Sequence, residues 1–221
     1  KLDVASSNLV SRSSHPKSHT LFFYPEMDGK VSTMANLGEN IGEVLFSEDK
    51  LRERISELGA QISKDYAGKR VTLVVILKGA FVFCADLIRS LDVDLNVGFM
   101  VVSSYGSSTK TSGTVRIVKD LQRNIEGEDV MLVEDIVDTG LTISYLRELL
   151  GTRKPKTLKV CSLLSKPSCR VVDAPIDYLG FEIPNKFVVG YGLDYDQRYR
   201  QVPYIGVLKP SAIKKEHGGE A

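Results

Sequence analysis

From residue 47 onward the chain alternates between two apolar patterns. Leu51, Ile55, Leu58 and Ile62 recur every three or four positions, the spacing of one helical face. Ser47 stands where an N-cap belongs, and Gly68 where such a helix would stop. The run VTLVVIL, residues 71–77, then reads as a fully buried strand, and residues 81–91 as an apolar helix after Lys78, Gly79 and Ala80. A second strand is expected over 97–103, a polar small-residue loop (SYGSSTKTSG) over 104–113, and a short strand over 114–118. Residues 130–133 form the next buried strand. It breaks into VEDIVDTGLT, residues 133–142, and enters a helix whose Ile143, Leu146 and Leu149 share a face. Residues 158–164 and 187–189 add further strands.

Strands written as continuous apolar runs, alternating with helices, imply an α/β fold whose parallel sheet is covered on both faces. Ligands of such sheets bind beyond the carboxyl ends of the strands. The turns after Leu77, Val133 and Val189 are therefore candidates for one shared site.

Composition narrows the class without deciding it. A chain of 221 residues, 43% apolar and 26% charged, suits one substantial core plus an appendage. A net charge of +1 argues against a large basic surface, so no nucleic-acid partner is expected. No membrane association is expected either, because the most apolar run ends at Lys78 and Asp86 interrupts the next. Cys84, Cys161 and Cys169 lack CxxC spacing and read as reduced, mostly packed residues of an intracellular protein. They make an unlikely metal site, since no histidine occurs between Thr20 and Glu216.

Residues 1–40 differ in kind. There is no acid between Val4 and Pro25, while serines, Arg12, His15, Lys17 and His19 are present. This segment is expected to be a leader, either a disordered tail or an organelle-targeting sequence. Met34 is a third possible starting point for the patterned chain.

Adjacent acids are poor strand residues, and Thr-Gly is a poor opening for a helix, so residues 133–142 call for a ligand. Asp138, Thr139, Gly140, Leu141 and Thr142 sit where a helix begins, with unpaired N–H groups and the favourable end of the helix dipole. Gly140 permits close approach and the threonines add hydroxyl donors, which makes a cradle for one phosphate. Glu134 and Asp135 would repel that phosphate unless the ligand also carried a diol or a magnesium ion for them to hold. A phosphorylated sugar meets both demands.

This segment resembles the phosphoribosyl pyrophosphate signature of the type I phosphoribosyltransferases. The rest of the chain narrows the likeness to the hypoxanthine-guanine phosphoribosyltransferases. LKGAF (77–81), SSYG (103–106), VEDIVDTG (133–140), LLSK (163–166) and FVVGYGLDYDQRYR (187–200) occur in that family's order, and the resemblance covers about residues 41–210. Leu141 falls where the family varies.

The resemblance implies the type I phosphoribosyltransferase fold: a twisted, mostly parallel sheet flanked by helices, with a small hood formed by the terminal segments. The expected domain is residues 41–221. The implied reaction moves a 5-phosphoribosyl group from phosphoribosyl pyrophosphate to hypoxanthine or guanine, with Mg2+ as cofactor. Asp138, Thr139, Gly140, Leu141 and Thr142 would take the 5-phosphate, and Glu134 and Asp135 the ribose hydroxyls. Asp138 would also be the general base at N7 of the purine, its pKa raised by burial. Lys78 and Gly79, through a cis non-proline peptide, would bind pyrophosphate with Ser104, Tyr105 and Arg200. Ile136, Lys166, Phe187, Val188 and Asp194 would line the purine, Phe187 stacking on it and Lys166 donating to its 6-oxo group. Glu134, Asp135 and Asp194 would serve magnesium. Residues 104–113 would form a lid.

Two other readings stand beside this one: a regulator that keeps the fold and the donor cradle, and a transferase for adenine or orotate. The family also implies a homodimer or homotetramer. Its location would be cytoplasmic, or organellar if the leader is a transit peptide.

Overall fold

The computed structural model describes residues 38–104 and 115–213. Most of the expected leader, Tyr105 and the body of the expected lid lie outside the described residues. Two sheets organise the rest. The larger has six strands: β2 (Arg70–Leu77), β3 (Asp94–Ser104), β4 (Val115–Lys119), β5 (Asp129–Val137), β6 (Thr157–Ser165) and β7 (Tyr178–Glu182). Their spatial order is β4-β3-β2-β5-β6-β7, and every pairing is parallel except β3 with β4. The smaller sheet joins β1 (Ile41–Phe46), β9 (Ile205–Leu208) and β8 (Val188–Val189) in antiparallel order, and this is the hood.

The helices are α1 (Glu48–Asp65), α2 (Phe81–Arg89) and α3 (Leu141–Gly151). In α1 the Ser47 hydroxyl accepts the Lys50 N–H, Glu48 and Asp49 occupy the first turn, and Lys64 lies in the last. Each choice satisfies an end group or complements the helix dipole. Tyr66 closes the helix, and Gly68 follows in the left-handed region with φ +71°.

The double-sided sheet explains the unbroken apolar run of β2. Its Val71, Leu73 and Val75 join Leu51, Ile55, Leu58 and Ile62 of α1 and Phe83 and Leu87 of α2 on one face. Val74 and Ile76 point the other way, into a cluster with Leu132, Val160 and the α3 residues Ile143, Leu146 and Leu150. Burying each such side chain contributes roughly 1.5–3 kcal/mol. All three cysteines are free; Cys84 and Cys161 lie in the core, where burial pushes the Cys84 thiol up to about 11.

Several elements differ from their expected extent. Helix α2 ends at Arg89 rather than residue 91, where the Ser90 hydroxyl bonds back to the Asp86 carbonyl. The third core position of α3 is Leu150, with Leu149 only partly buried. The largest difference concerns the acids. Strand β5 continues to Val137, so Glu134 and Asp135 sit on the strand and not in a turn. Glu134 pairs with Ser162 and Ile136 with Leu164 of β6, so the ladder carries the acids. The turn after Val189 also belongs elsewhere than expected, because β8 is a hood strand and not part of the parallel sheet.

Candidate active site

Beyond the carboxyl ends of β2, β5 and β6 the loops converge. The first leaves β2 through a cis Leu77–Lys78 peptide and Gly79. Gly79 abuts Asp135: a Cβ built on it would stand 1.5 Å from the Asp135 Oδ2. Gly192, with φ +98°, covers the other side of the same turn, where its own Cβ would stand 2.2 Å from the Gly79 carbonyl oxygen. A hood loop is thus seated directly on the parallel sheet's ligand edge, and only glycines allow the approach.

The phosphate cradle has an open end. Gly140 is the N-cap of α3 in the left-handed region (φ +87°), with no side-chain cap and no acid in the first turn. The first N–H groups of the helix therefore face outward beside the hydroxyls of Thr139 and Thr142. Of the two, only the Thr139 hydroxyl makes a hydrogen bond among the described residues, accepting the Leu141 N–H at 3.4 Å. That geometry suits an anion.

Behind the cradle stands a residue that sequence reasoning missed. The Arg170 Nη1 donates to the carbonyls of Val137 at 2.7 Å and Asp138 at 2.5 Å, and Nη2 donates to the Ser165 hydroxyl at 2.9 Å. The Val171 N–H adds a bond to the Thr139 carbonyl at 3.0 Å. These bonds tie the end of β5 to the end of β6.

The carboxylates fall into distinct environments. Glu134 is buried, and its Oε2 has no hydrogen-bond partner among the described residues. Burial and the neighbouring Asp135 charge hold its carboxyl well above the usual range. Asp135 is pushed up to about 6, chiefly by burial; the Ile136 N–H at 2.8 Å and the Arg200 charge pull the other way. Asp194 is engaged on both oxygens, by Arg200 Nη2 at 2.7 Å and by the Gln197 N–H at 2.9 Å. Hard carboxylate oxygens, one of them unpartnered and buried, fit a divalent cation such as magnesium. No cluster of three metal-holding side chains occurs among the described residues.

The burial expected around Asp138 is not found. Its side chain is 46% exposed, and its carboxylate meets the Lys166 Nζ at 3.3 Å. Lys166 is the enclosed partner, its side chain only 9% exposed at the end of β6. An enclosed ammonium, able only to donate hydrogen bonds, is thus held beside the Asp138 carboxylate at this sheet edge. Phe187 is 45% exposed and meets Tyr195 with perpendicular rings, their centroids 5.6 Å apart. Val188 is buried in β8 beside it, and Ile136 is partly buried against the same core.

Lys78 and Arg200 come together through Gln197, a second residue missed from sequence. The Gln197 Oε1 accepts from Lys78 Nζ and from Arg200 Nη2, each at 3.1 Å. Ser104 is the last residue of β3, the neighbour of β2, so its backbone belongs to the same edge.

An anion cradle, a strand-end pair of acids and a cationic pair across one sheet edge define a phosphoribosyltransferase. The Phosphoribosyl transferase domain family accordingly matches residues 45–196. A hypoxanthine-guanine phosphoribosyltransferase of Streptococcus thermophilus is 49% identical over 179 residues, spanning 81% of this chain and 99% of its own. One of Bacillus subtilis is 51% identical over 175 residues, spanning 79% and 97%. Among solved structures, a hypoxanthine phosphoribosyltransferase of Staphylococcus aureus superposes with a TM-score of 0.78 at 46% identity, covering 81% of this chain and 98% of that one. The chain belongs to the hypoxanthine-guanine phosphoribosyltransferase family.

Proposed function

We propose that the protein is a purine salvage transferase, converting hypoxanthine or guanine plus phosphoribosyl pyrophosphate to the mononucleotide plus pyrophosphate. The bond from ribose C1′ to pyrophosphate breaks with its electron pair leaving on the pyrophosphate oxygen. A purine ring nitrogen forms the new bond to C1′, and the proton on N7 passes to the Asp138 carboxylate. The positive charge that develops on the sugar ring calls for fixed groups on either side of it.

The observation that carries this reading is the Lys166–Asp138 pair beside the open N-terminus of α3. In it, the first N–H groups of α3 with Thr139, Gly140, Leu141 and Thr142 hold the 5-phosphate. Glu134 and Asp135 take the ribose hydroxyls, and Lys78, Gly79, Ser104, Tyr105 and Arg200 take the pyrophosphate. The purine stacks on Phe187 between Ile136 and Val188, with Lys166 donating to its 6-oxo oxygen and Asp194 near its far edge. A 6-amino group would face Lys166 donor to donor, which leaves both unpaired and excludes adenine. Magnesium would be held by Glu134, Asp135 and Asp194, the last through water or directly, and would supply charge neutralisation for the polyphosphate.

Assembly as a homodimer or homotetramer and a cytoplasmic location belong to the same proposal. Phe81 and Phe99, each nearly half exposed, offer apolar surface for self-association. Among the described residues no helix is long and apolar enough to cross a membrane.

The test is nucleotide formation followed by ultraviolet absorbance, with magnesium, phosphoribosyl pyrophosphate and each of hypoxanthine, guanine, xanthine and adenine. Turnover of oxopurines without adenine is the expected result. Adenine turnover at a similar rate would overturn the role of Lys166.

A further inference from the structure

We propose that Gln197 is a positioning residue for the leaving-group site: it holds Lys78 and Arg200 together while pyrophosphate is absent, and releases them to its oxygens. The inference rests on the assignment of Lys78 and Arg200 to pyrophosphate made above.

Two cations converge on one neutral atom here. The Gln197 Oε1 accepts from the Lys78 ammonium and the Arg200 guanidinium at 3.1 Å each, using both lone pairs of an amide oxygen. The amide brings the two positive charges together without neutralising either. The donors are charged in either case, but an anionic phosphate oxygen adds an ion-pair attraction to the same donors that the neutral amide oxygen lacks. The exchange therefore favours the ligand. A carboxylate at this position would instead compete with it.

The backbone gives an independent reason to credit the side chain. Tyr195 and Arg198 exchange both backbone hydrogen bonds, at 3.2 and 3.0 Å, and close a two-residue turn over Asp196 and Gln197. Both central residues have positive φ, +52° and +61°. Primed turns of this kind favour Asn, Asp or Gly, and glutamine fits them poorly. Glycine would relax the turn but would lose the acceptor. The turn is further pinned by the Gln197 N–H on Asp194 Oδ2, while Asp194 Oδ1 holds Arg200. Gln197 thus reaches the pyrophosphate cations from a loop that also carries an acid of the site.

The experiment compares Gln197→Glu and Gln197→Gly with wild type, using the full chain with magnesium. The readouts are KM for phosphoribosyl pyrophosphate, the inhibition constant of inorganic pyrophosphate, and the affinity for the mononucleotide product, which lacks a pyrophosphate. Gln197→Glu should raise the first two about tenfold, because its carboxylate would ion-pair with the cations that pyrophosphate must capture. Mononucleotide affinity and kcat should stay within about twofold. Gln197→Gly should raise the same two constants several-fold with no fall in Tm, which separates a lost acceptor from a damaged fold. Unchanged constants in both variants, or equal losses for pyrophosphate and mononucleotide, would overturn the proposal. If wild type turns over no base, the transferase reading fails, and calorimetry with inorganic pyrophosphate still decides this one. Weaker pyrophosphate binding by Gln197→Glu supports it, and equal binding sinks it.

Discussion

The α-carbon of Gly79 lies against the carboxylate of Asp135, so that a Cβ on residue 79 would meet Oδ2 at 1.5 Å and Cγ at 2.4 Å. The demand is for close approach: Gly79 is not among the glycines with positive φ. Gly79→Ala must therefore move the Asp135 side chain or the whole Lys78–Gly79 turn. Displacement of about 1 Å in a positioned group can cost about 100-fold in rate, and that is the expected fall in kcat/KM. Overpacking should cost about 1–3 kcal/mol of stability. Steady-state kinetics and a urea titration check both; an Ala variant with wild-type kinetics would show that Asp135 needs no fixed position.

Burial makes Asp135 a sensor of pH as well. Its carboxyl is raised from the usual 3.8 to about 6, so between those values the folded protein keeps a proton that the unfolded chain has lost. Stability therefore falls as pH rises through that window, and the full penalty persists above it. Glu134 contributes with the same sign. Asp135→Asn should gain thermal stability relative to wild type on going from pH 4 to about 7. Added magnesium should narrow the gap at neutral pH, because a cation favours the charged form in wild type alone. Thermal melts across that range, with and without magnesium, measure it. A gap independent of pH would rule out the linkage.

What was legible in the chain followed from local periodicity. Leu51, Ile55, Leu58 and Ile62 are all buried on α1, and Ser47 caps it, because spacing and capping are written within one turn. The stretch 133–142 stood out as a candidate site because adjacent acids, two hydroxyls and a glycine in ten positions exceed what a strand end and a helix start require. Strand ends were less legible. A change from apolar to acidic residues at Glu134 looks like the end of β5, yet the ladder depends on backbone groups that β6 satisfies through Val137. Strands β1, β7 and β9 were missed for a related reason. Residues Ile41–Phe46 have no clean alternation, and their pairing with Ile205–Leu208 is slipped at two places. Gln197 and Arg170 were missed because they have partners as far as 119 and 33 positions away. No local pattern marks a glutamine that will meet a lysine across the fold.

Lys166 should act on the base and hardly on the donor. Its enclosed ammonium faces Asp138 at 3.3 Å, and both groups adjoin the proposed purine position. Lys166→Gln replaces a charged donor with a neutral one that can also accept, so discrimination against adenine should weaken as activity falls. A hydrogen bond to a charged group is worth about 1.5–3 kcal/mol, so kcat/KM for hypoxanthine and guanine should drop about 10- to 100-fold. KM for phosphoribosyl pyrophosphate should change by less than about twofold. Equal losses for both substrates would mean that Lys166 supports the site as a whole rather than reading the base.

Arg170 makes the complementary case, a residue outside the site whose loss should be felt by both substrates. Its guanidinium spans the carbonyls of Val137 and Asp138 and the Ser165 hydroxyl, so one planar group sets where the cradle lies relative to Lys166. Lysine keeps the charge but has no fork, and cannot make the same three bonds from one fixed plane. Truncation takes this donor from the Asp138 carbonyl, while the Val137 carbonyl keeps the Lys166 N–H at 3.0 Å. Arg170→Ala should lose about 1–3 kcal/mol of stability, with Arg170→Lys falling between it and wild type. Because the proposed roles of Asp138 touch donor and base alike, kcat/KM should fall by similar factors for phosphoribosyl pyrophosphate and for the purine. That symmetry distinguishes Arg170 from Lys166. Urea midpoints and two-substrate kinetics on the same preparations supply the comparison, and a lysine variant with undiminished stability and turnover would show that charge alone holds the two strand ends together.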